Sequence, residues 1–126
     1  KVVFVGPKNK QELAPMYASC DVFCAPSVVA KDGDKDGLPV AIVEAMASGA
    51  AVVASELGGI SEIIEDGKNG FLTKPKDVTA LKEKINKLLE DKELNNKISV
   101  KAREKALEYD FAVIGRRYRD IINSKL

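Results

Sequence analysis

A layered α/β domain with a doubly wound parallel sheet is predicted for this chain of 126 residues. Short apolar runs recur at residues 2–5, 22–25 and 51–54 without the polar alternation of a sheet that has one wet face. Segments with helical spacing and helix-start signals lie between them. Strands buried on both faces need helices on both sides, and alternating order supplies them.

Taken in order, residues 2–5 read as the first strand. A helix over 11–19 opens at Asn9 with Glu12 three positions on, the spacing at which two side chains satisfy each other's free backbone amides. Residues 22–25 form the second strand, with Cys20 and Cys24 at its flanks. Four strand residues span about 13 Å, beyond the reach of a disulfide, so the cysteines are expected as two buried thiols in a reducing cytosol. Pro39 suits the first position of a helix over 39–48, which Gly49 stops. After the strand at 51–54, Gly58-Gly59 leads into a short helix over 60–66 closed by Gly67, and 70–73 reads as an edge strand.

From there the chain becomes charged and helical. Asp77 caps a helix with Val78, Leu81, Ile85 and Leu88 at inward spacing. A second helix, 92–107, turns Leu94, Ile98 and Ala102 inward, and Phe111, Ile114, Tyr118 and Ile121 mark a third. The lysines and glutamates opposite these stripes form a solvated face.

The 20 basic and 19 acidic side chains leave a net charge of +1, which makes no electrostatic case for nucleic acid or an anionic membrane. No apolar stretch is long enough to cross a bilayer, and a cytoplasmic location is expected. The chain has no histidine, so Ser-His-Asp and Cys-His catalysis is excluded and a zinc site at the two cysteines is not expected. It starts inside a strand without Met or leader, which suggests a piece of something longer.

Glu44 is the lone charge in Leu38-Pro39-Val40-Ala41-Ile42-Val43-Glu44-Ala45-Met46-Ala47, a run apolar on every side and therefore expected to be buried all round. Such a carboxylate requires a partner, a shifted pKa or a polar ligand, and no Lys or Arg lies between Gly37 and Glu65. In open parallel sheets, ligands sit beyond the carboxyl ends of the strands, at the N-termini of the following helices. Two segments meet that description: Pro26-Ser27 through Asp36-Gly37-Leu38, and Glu56-Leu57-Gly58-Gly59. Both offer backbone N–H groups and a helix dipole suited to phosphate. Asp32, Asp34 and Asp36 with Gly37 match half of a calcium loop, but its twelfth position is Val43, so a solvated acidic loop is expected and no metal.

Asp36 through Gly49, Ala51 through Ser55, Gly58-Gly59, Glu62 through Gly67 and Asn69-Gly70 resemble the donor-binding C-terminal domain of retaining glycosyltransferases of the GT-B type, the glycosyl transferases group 1 family. The resemblance runs in register from Val3 to about Leu89. It implies a Rossmann-like domain, truncated at its N-terminal side, with residues 1–75 carrying the site and 76–126 completing it as helices. The family motif has two glutamates separated by seven residues; Asp36 takes the first position and Glu44 the second. The resemblance makes Asp36 the catalytic, donor-orienting residue. It puts Gly37, Leu38, Pro39 and Val40 at the sugar and phosphate, Glu44 at the ribose hydroxyls, and Gly6 and Lys8 near the base. Ser27, Gly58 and Gly59 complete the donor-binding set. Pro39 departs from the family's glycine-aromatic-glycine stretch and removes one amide donor.

By the same resemblance, a nucleotide diphosphate sugar is the substrate, with no cofactor. The implied reaction moves a hexose to a glycan or lipid-linked acceptor, as in surface polysaccharide synthesis. The diphosphate-neutralising cations and the acceptor domain lie upstream, so the 126 residues are expected to bind donor weakly and not to turn over. Membrane association is expected only through that upstream domain. The alternatives are a nucleotide-sugar-binding or epimerase-type two-domain fold and a noncatalytic α/β interaction domain.

Overall fold

The computed structural model describes residues 1–29 and 39–125. Its elements run α1 (Lys10–Ser19), β1 (Val22–Ala25), α2 (Val40–Ala47), β2 (Ala51–Ser55), α3 (Ile60–Ile63), β3 (Phe71–Thr73), α4 (Val78–Glu90), α5 (Lys92–Ala106), a 3-10 turn (Leu107–Tyr109) and α6 (Phe111–Ser124). The sheet is parallel in the order β1-β2-β3, with Val22 opposite Ala51 and Val53 opposite Phe71.

The central strand explains the three layers. Every residue of β2 is buried. Val52 and Ala54 point into one core with Ile42, Met46, Ile60, Ile63, Ala102 and Ala106, while Ala51 and Val53 point into another with Phe71, Leu88 and Ile98. Strand alternation sends successive side chains to opposite faces, so a run apolar at every position requires cover on both. α2 and α3 cover one face, α4 covers the other, and α5 contributes Ala102 and Ala106 to the first core and Ile98 to the second.

Local signals place several boundaries as expected. Asn9 and Glu12 form a complete capping box, the Asn9 side chain accepting from the Glu12 amide at 3.0 Å and the Glu12 carboxylate from the Asn9 amide at 2.9 Å. Asp77 accepts from the Ala80 amide at 3.0 Å. α1 also contains Pro15, which removes one helical donor.

Several expectations need correction. Residues 2–5 form no strand and lie open to water, Phe4 at 96 % exposure, because no described strand pairs with them and an unpaired strand leaves its amides and carbonyls without ladder partners. α2 is buried along one face only, through Ile42, Ala45 and Met46, while Val40 is 66 % exposed; Pro39 sits at its cap. α3 stops after one turn, since the buried Asn69 side chain accepts from the Glu65 amide at 2.8 Å and donates to the Ile63 carbonyl at 2.9 Å, turning the chain away. Gly67, with φ +76°, belongs to the turn that follows, its amide donating to the Gly70 carbonyl at 2.8 Å. Val78 is exposed and both cysteines are only half-buried; burial raises both thiol pKa values.

Gly70 leads into β3 where two elements approach closely. A Cβ there would lie 2.9 Å from Ile64 Cγ2 and 3.1 Å from the Val52 carbonyl oxygen, one a packed side chain and the other backbone of the central strand. Gly70→Ala is therefore expected to lower stability by about 1–3 kcal/mol through overpacking, read as an earlier urea midpoint. An unchanged midpoint would show that the loop yields freely.

Candidate functional site

The parallel sheet presents the ends of β1, β2 and β3 on one edge, with Pro26, Ser27, Ser55, Thr73 and the starts of α2 and α3 around them. A concavity of about 170 Å³ lies there, lined by Pro26, Val28, Ser55, Thr73, Lys74 and Lys76. Ser55 and Thr73 are buried, and Lys76 adopts φ +68°, a left-handed backbone uncommon for a residue with a side chain. Among the described residues, Lys74 and Lys76 form no ion pair.

Pro39 and Val40 sit at the start of α2. Pro39 has no capping side chain, and among the described residues the Val40 and Ala41 amides find no acceptor, so the positive end of the dipole faces this edge. Gly58, with φ +50°, and Gly59 precede α3, but one turn of helix carries a much smaller dipole than the two turns of α2. Gly6, with φ +67°, lies in the exposed segment before α1. Lys8 approaches Glu12 at 3.8 Å, and the half-buried Ser27 donates its amide to the Ala25 carbonyl at 2.9 Å. Asp36, Gly37 and Leu38 lie outside the described residues.

Glu44 is half-buried rather than enclosed, because it points away from the Ile42, Ala45 and Met46 face. It opens on a cleft of about 230 Å³ between α1 and α2, lined by Lys10, Leu13, Ala14, Tyr17, Glu44, Ala47 and Ser48. Among the described residues its carboxylate makes no hydrogen bond and no ion pair within 4.0 Å. Burial raises the Tyr17 phenol pKa, and the nearby Glu44 carboxylate raises it further. Tyr17 is held edge-on to Phe23 of β1, ring centroids 5.4 Å apart. The cleft thus combines an acid, a lysine and two hydroxyls with an apolar floor.

The sequence reading missed the α1 wall of this cleft. Lys10, Leu13, Ala14 and Tyr17 fall at helical spacing on one side of α1, as Glu44, Ala47 and Ser48 do on α2, so the stripe was present as periodicity. That the two stripes face each other is a tertiary fact. A larger concavity of about 450 Å³ lies beside Glu65, Lys68, Asn69, Lys101 and Glu104, near the start of β3 and thus away from the carboxyl edge. Its lysines are paired at the surface, Lys68 with Glu65 at 2.8 Å and Lys101 with Glu104 at 2.7 Å, and it offers no comparable set of unpaired groups.

A parallel sheet clothed on both faces, with a two-turn helix N-terminus at its carboxyl edge and an acid-lined cleft between α1 and α2, defines an α/β domain of the open-sheet class, in which ligands sit beyond the carboxyl ends of the strands. Within that class the chain belongs to the family glycosyl transferases group 1, whose model matches residues 1–105. It is 39 % identical over 121 residues to a sulfoquinovosyl transferase of Arabidopsis thaliana, covering 94 % of this chain and 22 % of that protein. It is 36 % identical over 117 residues to the N,N'-diacetylbacillosaminyl-diphospho-undecaprenol alpha-1,3-N-acetylgalactosaminyltransferase of Campylobacter jejuni, covering 93 % of this chain and 29 % of that one. The structure superposes on Anabaena HepE in complex with UDP with a TM-score of 0.76 and 34 % identity, over 86 % of this chain and 29 % of HepE. The chain therefore spans less than a third of the length of these proteins. Among the described residues no helix is long and apolar enough to cross a membrane.

Proposed function

We propose that the full-length protein transfers a hexose from a nucleotide diphosphate sugar to a glycan or lipid-linked acceptor with retention of configuration, and that these residues hold the donor. The observation that carries this reading is Glu44: a carboxylate without a protein partner among the described residues, set on the wall of a cleft between α1 and the C-terminal half of α2. Ribose hydroxyls can donate to such a carboxylate, forming charge-assisted hydrogen bonds. The dipole at Val40 is suited to the diphosphate, and Asp36, eight positions before Glu44, is assigned the orientation of the donor sugar. The leaving diphosphate would be stabilised by preorganised dipoles and by cations, with the greater part of the positive charge contributed from outside these residues. Gly6, Lys8, Ser27, Gly37, Leu38, Pro39, Gly58 and Gly59 are assigned to the same donor site, and no metal is given a role.

The UDP complex of HepE supports a nucleotide diphosphate ligand, and the diphospho-undecaprenol in the Campylobacter relative's name supports a lipid-linked acceptor. The test uses the full-length protein. Ligand-observed NMR with UDP, GDP and ADP is expected to show one of the three binding, and the product of the matching sugar nucleotide is expected to keep the donor's anomeric configuration. Absence of binding by any of the three would sink the donor assignment, and an inverted product would sink retention.

A further inference from the structure

The cleft between α1 and α2 encloses about 230 Å³, below the roughly 300 Å³ at which sites for whole drug-sized ligands begin, so it takes one moiety of a larger ligand. Two polar side chains on its facing walls are complementary in kind. The Glu44 carboxylate only accepts, and the Tyr17 phenol carries a proton to donate. Among the described residues, the side-chain bonds made to these two go to their backbone carbonyls, Cys20 Sγ donating to that of Tyr17 at 3.3 Å and Ser48 Oγ to that of Glu44 at 2.9 Å. Carboxylate and phenol are left to a ligand. Lys10, also on the α1 wall, lies seven residues before Tyr17, about 10 Å along the helix, and forms no ion pair among the described residues. The phenol is fixed before any ligand arrives, because its ring stands edge-on to Phe23 at 5.4 Å and 86° and packs against the first core. Burial, and then the Glu44 charge, raise its pKa, so it remains a donor at neutral pH.

We propose that Tyr17 is a second sugar-contact residue of the donor site: its hydroxyl donates to a ribose oxygen whose own proton goes to Glu44, so that the ribose is held between α1 and α2. A group placed between a carboxylate and a phenol has to donate to the first and accept from the second. A hydroxyl does both with one atom. An ammonium group cannot accept, and a phosphate or carboxylate meets Glu44 as a like charge. The apolar floor of Leu13, Ala14 and Ala47 suits the carbon face of a sugar ring and offers its hydroxyls no side-chain partner of its own. This inference rests on the assignment of Glu44 to the ribose and adds to it the residue that completes the contact.

Calorimetric titration of the full-length protein with UDP, GDP and ADP, and with the 2′-deoxy and 3′-deoxy forms of whichever binds, tests it. Tyr17→Phe keeps the ring and its contact with Phe23 and removes only the hydroxyl. The substitution is expected to weaken binding of the parent nucleotide about fivefold, the loss of one neutral hydrogen bond, with the urea midpoint unchanged. With at least one of the two deoxy nucleotides it should change affinity by no more than about twofold, because the oxygen that the phenol bonds is gone. A full loss with both deoxy forms overturns the proposal, being the mark of a phenol that bonds a water or another part of the nucleotide. So does unchanged affinity for the parent nucleotide. In either case weakened binding by Glu44→Gln leaves the ribose assignment standing, whereas unchanged affinity in both variants sinks that assignment as well.

Discussion

Glu44→Gln is expected to weaken nucleotide binding by the full-length protein about thirtyfold while leaving its urea midpoint unchanged. A hydrogen bond from a hydroxyl to a charged acceptor contributes about 1.5–3 kcal/mol, and a loss of about 2 kcal/mol corresponds to that factor. The amide keeps the size of the carboxylate but loses the charge and turns one acceptor into a donor. Stability should hold because Glu44 is half-buried and, among the described residues, its carboxylate makes no bond that folding would lose. A calorimetric titration with the nucleotide that binds, set beside urea unfolding, separates the outcomes. Unchanged affinity would remove Glu44 from the site, and lost stability with intact affinity would make it a structural acid.

Ile42→Ala is expected to behave in the opposite way. Ile42 is fully buried against β2 and α5, and truncating a large aliphatic side chain in such a core costs about 2–5 kcal/mol, the transfer free energy plus that of the cavity. The urea midpoint should fall sharply, while affinity measured well below it should stay within about twofold, since a twofold change is about 0.4 kcal/mol. The two substitutions lie two residues apart on one helix, about 200° around its axis. A loss of affinity in Ile42→Ala equal to that of Glu44→Gln would mean that cleft and core are one mechanical unit.

The division of labour expected on α2 is only half legible in the sequence. The isolated acid in an apolar run identified Glu44, but complete burial of the run was an over-reading. Hydrophobicity at every position does not say which side a neighbour will occupy; the sheet and α5 took the Ile42, Ala45 and Met46 face, and the other side was left to the cleft. The runs at 22–25 and 51–54 form β1 and β2 because continuous apolar runs of that length demand cover on both faces, and four helices, α2 to α5, supply it. Residues 2–5 are as continuously apolar as the runs at 22–25 and 51–54 but find no strand partner among the described residues, and strand propensity needs a ladder partner to be realised.

What the sequence determined by itself is what depends on near neighbours along the chain: the capping box at Asn9 and Glu12, the cap at Asp77, the alternation of strand and helix, and the eight-position step from Asp36 to Glu44. These rest on hydrogen bonds or periodicities within a few turns. Tertiary structure alone decided that Lys10, Leu13 and Tyr17 face Glu44 across a cleft, that Asn69 ends α3 after one turn, that Gly70 lies against Val52, and that α6 keeps its apolar stripe exposed. Each of these depends on contacts between residues whose approach is set by the packing of whole elements, and local preference carries no information about that packing.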